Sequence, residues 1–292
     1  MIDLHLHSTA SDGTDPPNSV VAKAAANGCT TIAITDHDTL AGVAPAQEAG
    51  IDLGVQVISA VEVSVKARTG SIHCLVYFVQ VDSPLGLELV QLRGFREDRN
   101  REIIDRMRSD GLDVDYETIR SQAATDNLGR PHFATYLMKT GMVASVQEAF
   151  DRYLGKGQRY YVSKSQLDSS QLIELARISG SVVSLAHPFR DMDSYGGQLR
   201  PQHQMDAARK LVKDLASVGY QAVETYYSMH TLQESNFLLH LCDEFGLIPT
   251  GGSDYHGSIK PGLQPGMRSN GEPLGIPNDV VDRLVRARDA LL

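Results

Sequence analysis

Apolar and polar residues follow a regular rhythm along most of the chain. Residues 2–7 have a period of two, which predicts a strand whose two leucines share one face and whose histidines, His5 and His7, share the other. Short apolar runs predict further strands at residues 30–36, 55–65, 71–79, 182–187, 222–226 and 247–250. Helical patterns lie between them. Pro16 and Pro17 open the first, which runs through residues 20–26, and the others lie at residues 41–49, 170–178, 204–218, 232–245 and 278–292.

The connections between these elements indicate the fold class. The helix over residues 41–49 is expected to end at Gly50, and a turn at Arg68-Thr69-Gly70 joins the third and fourth strands. Because most strands are joined by helices, we expect an α/β fold with a largely parallel sheet. Polar residues follow nearly every strand, and a closed or distorted (β/α) barrel brings all those strand ends to one mouth. A barrel therefore fits better than an open sheet.

Residues 85–155 interrupt the alternation with a helical and more charged pattern. Helices are predicted there at residues 93–109, 116–123, 131–140 and 146–154. We interpret residues 98–166 as a small helical insertion in the barrel. The barrel domain then consists of residues 1–97 and 167–292.

Composition and charge narrow the class of protein. The chain of 292 residues has a formal net charge of −9, which argues against a surface that coats nucleic acid, and we expect no DNA partner. The amino-terminal residues lack the features of a signal peptide, and no apolar run reaches membrane-spanning length. Cys29, Cys74 and Cys242 are widely spaced and are expected to be free thiols. We therefore expect a cytoplasmic protein with no membrane partner and no obligate protein partner.

Nine histidine, aspartate and glutamate residues lie in or just after the predicted strands. They are His5, His7, Asp12, His37, Glu62, His73, His187, Asp254 and His256. Imidazoles and carboxylates in this number, without cysteine, are typical of sites that bind more than one catalytic divalent ion. The chain is therefore expected to be a hydrolase.

Some of these positions carry a specific argument. His5 and His7 are two residues apart on a strand, so both can reach one metal ion. Glu62 is a carboxylate in an apolar strand, and bridging two metals would satisfy both of its oxygens. Taken alone, Asp12 could be an ordinary turn residue and His73 a hydrogen-bonded core residue.

His37 lies between two aspartates at the end of the second predicted strand. Three ionisable groups at that point are costly to bury unless they are paired or bound to metal. We expect His37 to be the ligand, Asp36 to orient a neighbouring ligand, and Asp38 to be the N-cap of the next helix.

The sequence resembles the PHP (polymerase and histidinol phosphatase) family of metal-dependent phosphoesterases over essentially its whole length. The motifs that carry the resemblance are DLHLH at residues 3–7 with Asp12, TDHD at 35–38, Glu62 with His73, the HP pair at 187–188, and SDYHG at 253–257. The resemblance implies a distorted seven-stranded (β/α) barrel with a trinuclear centre of manganese, or alternatively of iron or zinc. No expected ligand is missing, which argues against an inactive domain.

The resemblance also implies how the ligands are shared. One metal ion would bind His5, His7, Glu62 and Asp254. The second would bind Glu62 as a bridge, together with His73 and His187. The third would bind Asp12, His37 and His256.

Within the family, the chain is most similar to a branch with a helical insertion and a Gly-Arg-Pro-His motif, here residues 129–132. That branch includes nucleoside 3′,5′-bisphosphate phosphatases and is related to enzymes that trim short RNAs from the 5′ end. Arg130 precedes a predicted helix, and a helix amino terminus flanked by arginine favours an anion. Arg130 is therefore expected to bind a phosphate, and Arg190, after the HP pair, is expected to grip phosphate oxygens at the metal site.

The insertion contains further candidates for substrate binding. Lys156, Arg159 and Lys164 cluster near its carboxyl end, where Tyr160 and Tyr161 could stack a nucleobase. A solvated surface is the alternative for Lys156 and Arg159. We therefore expect the insertion to contribute to substrate binding.

The expected activity is removal of the 3′-phosphate from nucleoside 3′,5′-bisphosphates such as adenosine 3′,5′-bisphosphate. Metal ions would lower the pKa of a bridging water, and the hydroxide would attack phosphorus in line. His230 is a candidate catalytic proton donor, and His132 is a candidate for the same role or for substrate binding. A plain hydrogen-bonding role is the alternative for both histidines.

Three alternative activities and one non-catalytic role are consistent with the same residues. One is 5′–3′ exoribonuclease activity on short oligoribonucleotides, and another is hydrolysis of histidinol phosphate. A metal-dependent amidohydrolase also begins with two histidines on its first strand, and some PHP domains are non-catalytic accessory modules. The expected partner is a small phosphorylated nucleotide, with short RNA as the alternative.

Overall fold

Seven strands form one sheet whose order follows the chain. The structure, a computed structural model, describes residues 1–67, 70–123, 128–190 and 201–292. Each strand is hydrogen-bonded to the next one in sequence. The strands are β1 (Ile2–Leu6), β2 (Thr31–Ile34), β3 (Gln56–Ala67), β4 (Gly70–Tyr77), β5 (Val182–Leu185), β6 (Ala222–Tyr227) and β7 (Ile248–Gly252).

Helices connect most of these strands. They are α1 (Pro17–Ala26), α2 (Val43–Leu53), α3 (Pro84–Ser109), α4 (Tyr116–Ala123), α5 (Arg130–Lys139), α6 (Val146–Ala149), α7 (Ser169–Ile178), α8 (Pro201–Val218), α9 (Leu232–Phe245) and α10 (Val280–Asp289). Helix α6 continues into a π-helical turn, Phe150–Leu154. Among the helices of the described ranges, none combines the length and apolar character needed to cross a lipid bilayer.

The two ends of the sheet meet and nearly close it into a barrel. Leu6 at the end of β1 forms a parallel bridge with Tyr255, just beyond β7. The Asp254 N–H donates to the His5 carbonyl over 2.8 Å, and the His7 N–H donates to the Tyr255 carbonyl over 3.0 Å. The predicted α/β barrel of seven strands is therefore confirmed, and its closure joins β7 to the strand that carries His5 and His7.

β1 contains a bulge between Asp3 and Leu6, which changes the predicted alternation. Leu4 belongs to an apolar cluster that draws on all seven strands and fills the barrel. Leu6 instead packs with Val20 and Val21 of α1, on the outside of the strand. The expectation that both leucines share a face is wrong, because the extra residue of a bulge turns the following side chains to the opposite face.

β4 runs antiparallel to both of its neighbours, whereas the other paired strands are parallel. Ala67 of β3 pairs directly with Gly70 of β4, so the connection is too short for the crossover that parallel strands need. Of the predicted turn, Arg68 and Thr69 lie outside the described residues. Because β4 is reversed, the amino-terminal half of β4 lies at the mouth of the barrel. The sequence pattern had suggested that the carboxyl end of this strand would lie there.

The chain divides into two compact units. The first consists of residues 1–89 and 166–292 and contains the barrel. The second, residues 90–165, is helical and has its own buried core, which includes Ile103, Phe133 and Leu137.

The start of α3 and the end of α2 differ most from the predicted helix boundaries. Helix α3 begins at Pro84 and not at residue 93, because its first turns bury Leu85 and Leu89 ahead of the charged sequence. Helix α2 continues through Gly50 and ends at Gly54, which has a φ of +66°. A Cβ atom at Gly50 would lie 2.5 Å from the Val55 carbonyl oxygen, so Gly50 is a close-packing position within the helix.

Gly252, the last residue of β7, allows the barrel to close. An alanine Cβ at this position would lie 2.2 Å from the His5 Cβ and 2.5 Å from the His5 nitrogen, on the strand that carries two candidate ligands. We expect Gly252→Ala to lower the free energy of unfolding by about 3 kcal/mol, as overpacking of a core does. Thermal denaturation monitored by circular dichroism measures this change.

Gly94→Ala is the matched control, because nothing lies within 4 Å of a Cβ at this helical position. Alanine there should stabilise α3 by about 0.5–1 kcal/mol. Equal melting temperatures for the Gly252→Ala variant and the unmodified protein would contradict the proposed close approach of β7 and β1.

Candidate metal centre

The mouth of the barrel brings the nine predicted donors together. His5 and His7 come from β1, and their Nε2 atoms are 3.1 Å apart although both rings are completely buried. Two ligands that share one cation at bond lengths of about 2.0–2.1 Å have their donor atoms at about this separation. The pair therefore has the geometry predicted from its spacing, and the bulge in β1 does not separate the two rings.

Glu62 lies at the middle of the cluster, and its two carboxylate oxygens face different sets of imidazoles. Its side chain is 1% exposed. Oε2 lies 3.3 Å from His5 Nε2, 3.0 Å from His7 Nε2 and 3.3 Å from His37 Nδ1. Oε1 lies 3.1 Å from His73 Nδ1 and 2.9 Å from His187 Nε2. This arrangement suits a carboxylate that bridges two cations.

His73 reaches the centre from the reversed strand. It lies in the amino-terminal half of β4, where it pairs with Ser64 of β3 beyond Glu62. The antiparallel direction of β4 is therefore the reason that this histidine reaches the same mouth as the residues from the parallel strands.

Asp254 also turns its two oxygens to different surroundings. Its Oδ1 faces imidazole nitrogens, at 3.4 Å from His7 Nε2 and 3.2 Å from His256 Nδ1. Its Oδ2 accepts hydrogen bonds on the opposite side, from Arg190 and other groups. The residue has a φ of +55°, a left-handed conformation in which non-glycine residues are strained and which recurs at functional sites.

Asp12, His37 and His256 form the outer part of the cluster. Asp12 Oδ1 is 3.3 Å from His256 Nε2, and Asp12 Oδ2 is 3.6 Å from His37 Nε2. The Asp12 side chain is 42% exposed, so this side of the centre is open to solvent. Asp12 is therefore a member of the donor cluster and not only a turn residue.

The donor atoms fit divalent metal ions. Four overlapping groups each have ligand atoms within 4.8 Å of one another: His7 with Asp12, His37 and His256; His5 with His187 and Asp254; His5 with His7 and Glu62; and His37 with Glu62 and His73. Imidazoles and carboxylates suit zinc, iron and manganese. None of these groups includes a cysteine, and all three cysteines are buried free thiols.

The carboxylates of the centre are ionised. Burial acts to raise the pKa of Glu62, but His37, His5 and the other imidazoles outweigh it and hold this pKa well below its ordinary value. Burial acts in the same direction on Asp254, whose pKa is nevertheless held well below its usual range by His5 and its other cationic neighbours. Both side chains therefore carry the negative charge that a cation requires.

The imidazoles differ from one another. Burial lowers the pKa of His7 and of His37 to about 4, so both rings are neutral at pH 7, the form that binds metal. Burial also opposes a charge on His5, but Glu224 and the other carboxylates around it raise its pKa well above the ordinary value. A cation that binds at His5 must therefore displace a proton.

A second layer of polar groups holds the loops around the donors. Asp36 accepts hydrogen bonds from the Ser8 N–H at 2.8 Å and from the Ser11 hydroxyl at 2.7 Å, so it orders the loop that presents Asp12. This contact agrees with the orienting role expected for Asp36. Asp38 does not cap a helix: its Oδ1 accepts from the Ser64 N–H at 3.0 Å, because α2 begins only at residue 43.

Arg190 lies at the edge of the centre, beside residues that the sequence analysis missed. Its Nη1 donates to Asp254 Oδ2 at 2.6 Å and to the Tyr227 hydroxyl at 2.9 Å. Tyr227 donates to the same Asp254 oxygen at 2.8 Å, and Lys260 Nζ lies 2.5 Å from it. The Arg190 side chain is 48% exposed, whereas that of Lys260 is 18% exposed. Of these two cationic side chains, Arg190 therefore has the greater access to solvent.

His230 is buried behind Tyr227, with ring centroids 5.0 Å apart. Its Nδ1 is 3.2 Å from the Thr225 carbonyl oxygen, which can only accept, so Nδ1 carries the hydrogen. Burial lowers the pKa of His230, and its Nε2 has no partner within the described ranges. The neutral His230 ring has no proton on Nε2. His230 would therefore have to be protonated at Nε2 before it could act as the predicted proton donor.

The substrate candidates of the insertion belong to the helical unit. Arg130 lies 5.3 Å over the Tyr161 ring, and its Nη1 donates to the Leu154 carbonyl at 3.2 Å. His132 Nδ1 accepts from the Gly129 N–H at 2.9 Å and so caps α5. Lys164 is partly exposed in the same unit. Arg130, His132 and Tyr161 therefore surround the amino-terminal end of α5.

Tyr160 does not have the role expected for it. Tyr160 is 1% exposed, its ring stacks on Tyr153, and its hydroxyl donates to Asp110 at 2.8 Å, so it cannot stack a base. Arg159 is exposed and forms an ion pair with the same aspartate, which agrees with the solvated surface given as its alternative. Lys156 is exposed, in agreement with a solvated surface.

The family follows from a comparison with known sequences. The chain belongs to the PHP domain family, whose sequence pattern matches residues 3–220. It is a metal-dependent phosphoester hydrolase.

Curated relatives from three bacteria differ in the phosphoesters they are named for. A 5′-3′ exoribonuclease of Haemophilus influenzae is 32% identical over 87% of this chain and 89% of its own length. A 3′,5′-nucleoside bisphosphate phosphatase of Chromobacterium violaceum is 29% identical over 99% of both chains. A phosphoribosyl 1,2-cyclic phosphate 1,2-diphosphodiesterase of Eggerthella lenta is 31% identical over 88% of this chain and 94% of its own.

Solved structures agree with the fold. A protein of Bifidobacterium adolescentis described as a metal-dependent phosphoesterase aligns over 98% of this chain and 96% of its own, with a TM-score of 0.74 and 26% identity. An amidohydrolase from Chromobacterium violaceum, solved with sulfate and no metal, covers the same shares with a TM-score of 0.72 and 26% identity.

Proposed function

We propose that the nine clustered donors bind three divalent ions, with manganese as the first candidate. The observation that carries this proposal is the position of Glu62, whose two oxygens face separate sets of imidazoles. The ion sites follow the motifs: His5, His7, Glu62 and Asp254 for the first, Glu62, His73 and His187 for the second, and Asp12, His37 and His256 for the third.

The residues of the chain then have distinct tasks in phosphoester hydrolysis. Bound divalent ions lower the pKa of water and neutralise charge on phosphate oxygens. Arg190, which is half exposed beside Asp254, is the proposed contact to a phosphate oxygen, and Tyr227 and Lys260 also hold the Asp254 oxygen that it contacts. The open side at Asp12 is the side from which substrate enters.

We propose a nucleoside 3′,5′-bisphosphate as the substrate and its 3′-phosphate as the group removed. Similarity to the Chromobacterium violaceum phosphatase over nearly the whole length of both chains supports this choice. Arg130 is the proposed contact to the second phosphate, with Tyr161, His132 and Lys164 as further substrate contacts. The guanidinium of Arg130 at the start of α5 is suited to an anion.

A panel of phosphoesters tests this function. With manganese added, adenosine 3′,5′-bisphosphate should be hydrolysed to AMP and phosphate with a higher kcat/KM than AMP or histidinol phosphate. Excess chelator should abolish the reaction, and added manganese should restore it. Faster turnover of histidinol phosphate than of the bisphosphate would refute the proposed substrate.

Arg130→Ala tests the second phosphate contact within the same panel. A lost charge-assisted hydrogen bond is worth about 1.5–3 kcal/mol, which corresponds to roughly a 10–100-fold fall in kcat/KM for the bisphosphate. Hydrolysis of a simple phosphomonoester should change little. Arg120→Ala removes another exposed arginine of the helical unit and is the control. Equal losses on both substrates would reject the selectivity role.

A second candidate function is 5′–3′ exoribonuclease activity on short RNA at the same centre. The Haemophilus influenzae relative favours it. A 5′-phosphorylated trinucleotide belongs in the same panel. Release of nucleotides from it with a kcat/KM above that for the bisphosphate would make RNA the preferred substrate.

A further inference from the structure

Strand β6 contributes none of the nine proposed ligands, yet it carries a completely buried carboxylate. Glu224 lies in the run Ala222–Tyr227, and its side chain is 0% exposed. A carboxylate without partners is very costly to bury, so its contacts indicate what it does.

Both oxygens of Glu224 accept hydrogen bonds from proposed ligands. Its Oε1 is 2.8 Å from Nδ1 of the His5 ring. Its Oε2 accepts from the backbone N–H of His187 at 2.7 Å. One carboxylate therefore joins a ligand on β1 to a ligand that follows β5.

The His187 contact holds a strained piece of backbone. His187 has a φ of +24°, which non-glycine residues rarely adopt, and Pro188 follows it. Strained conformations of this kind persist only where the surrounding structure enforces them. The hydrogen bond to Glu224 is one such constraint at this position.

The His5 contact determines which ring nitrogen can bind a cation. A carboxylate only accepts, so the hydrogen is on His5 Nδ1, and the neutral ring then has its lone pair on Nε2. Nε2 is the atom that faces the cluster, at 3.3 Å from Glu62 Oε2 and 3.1 Å from His7 Nε2.

We infer that Glu224 is a positioning residue that fixes the metal-binding tautomer of His5 and pins the backbone of His187. This inference rests on the proposed ligand roles of those two histidines. Glu224 is not one of the nine proposed ligands, and it contacts two of them, His5 and His187. It acts through the two ligands it holds, as second-layer carboxylates do at other metal sites.

Glutamine at this position cannot reproduce both contacts. The carboxylate offers two acceptors to two donors, whereas an amide offers one acceptor and one donor group. If the amide oxygen of the glutamine accepts from the His187 N–H, the NH₂ group of the same amide faces His5 Nδ1. To accept a hydrogen bond from this NH₂ group, the neutral His5 ring must carry its hydrogen on Nε2. That tautomer blocks the atom that faces the cluster.

Metal affinity measures the effect directly. We expect Glu224→Gln to weaken Mn²⁺ binding by roughly 10–100-fold at one or more sites, as loss of such a partner does elsewhere. The binding is followed by electron paramagnetic resonance of free Mn²⁺ during titration of the metal-free protein. Ser184→Ala is the control, because it removes a buried hydrogen bond to Thr250 between strands without touching a ligand.

The outcomes separate this inference from the proposed function. No tight Mn²⁺ binding by the unmodified protein would refute the metal centre itself. Normal binding by the unmodified protein and equal binding by a folded Glu224→Gln variant would overturn the role of Glu224. A loss in Glu224→Gln that Ser184→Ala does not share would support it.

A second measurement needs no folded Glu224 variant. Two-bond ¹H–¹⁵N correlation spectra of the zinc-loaded, unmodified protein report the tautomer of each histidine. The His5 signal is assigned by its loss in His5→Gln. A hydrogen on Nδ1 and none on Nε2 is the expected result, and the reverse pattern would overturn the inference.

Discussion

Replacing Glu62 with glutamine is expected to lower phosphatase activity about 10³-fold, because a metal ion supplies several kcal/mol of transition-state stabilisation and each 1.36 kcal/mol is a factor of ten. Glu62 is the side chain on which five imidazoles converge. An amide keeps the shape of the side chain but removes its charge and one of its two acceptor oxygens. The variant should therefore also lose bound metal, measured by inductively coupled plasma mass spectrometry after desalting.

Glu48→Gln makes the same chemical change on the exposed face of α2 and should retain full activity and metal content. Circular dichroism shows whether the Glu62→Gln variant is folded. A folded Glu62→Gln protein with normal metal content and more than a tenth of the original activity would contradict a bridging role for Glu62.

Replacing Arg190 with alanine is expected to lower kcat/KM about 10²–10³-fold, the usual effect of removing one donor that stabilises developing charge. Arg190 is half exposed at the edge of the cluster, with Nη1 2.6 Å from Asp254 Oδ2. Arg190→Lys should recover only part of the loss, because an ammonium group cannot replace the paired N–H donors of a guanidinium. Steady-state kinetics with the bisphosphate measure both variants.

Metal content distinguishes two explanations of that loss. If Arg190 contacts phosphate, the alanine variant should keep its metal, because Tyr227 and Lys260 still hold Asp254. A parallel loss of metal would show that Arg190 acts through Asp254. Arg177→Ala, which removes an exposed arginine of α7, should change neither quantity.

The sequence analysis did not identify three residues that contact the centre, and their roles depend on distant parts of the chain. Tyr227 and Lys260 contact the same Asp254 oxygen, one from β6 and the other from a loop beyond β7. No local motif relates them. Glu224 did carry a signal, since it is a carboxylate within an apolar strand, as Glu62 is. The same reasoning applied to both strands would have identified it.

The sequence alone was sufficient to predict the α/β class, the strand positions and the nine histidine, aspartate and glutamate residues that lie together at the mouth of the barrel. The hydrophobic periodicity indicates which residues form strands, and in a barrel of parallel strands the residues that follow the strands lie at one mouth. The donors could therefore be recognised without coordinates, because their residue types and positions in the strands are local properties.

Only the tertiary structure decided the direction of β4, the bulge in β1 and the side-chain partners of the donors. A bulge and a reversed strand leave hydrophobic periodicity almost unchanged, yet they determine where Leu6 packs and how His73 reaches the mouth. Hydrogen bonds such as that from His5 to Glu224 join residues 219 positions apart. Such contacts depend on how the barrel closes, which is a property of the whole chain and not of any segment.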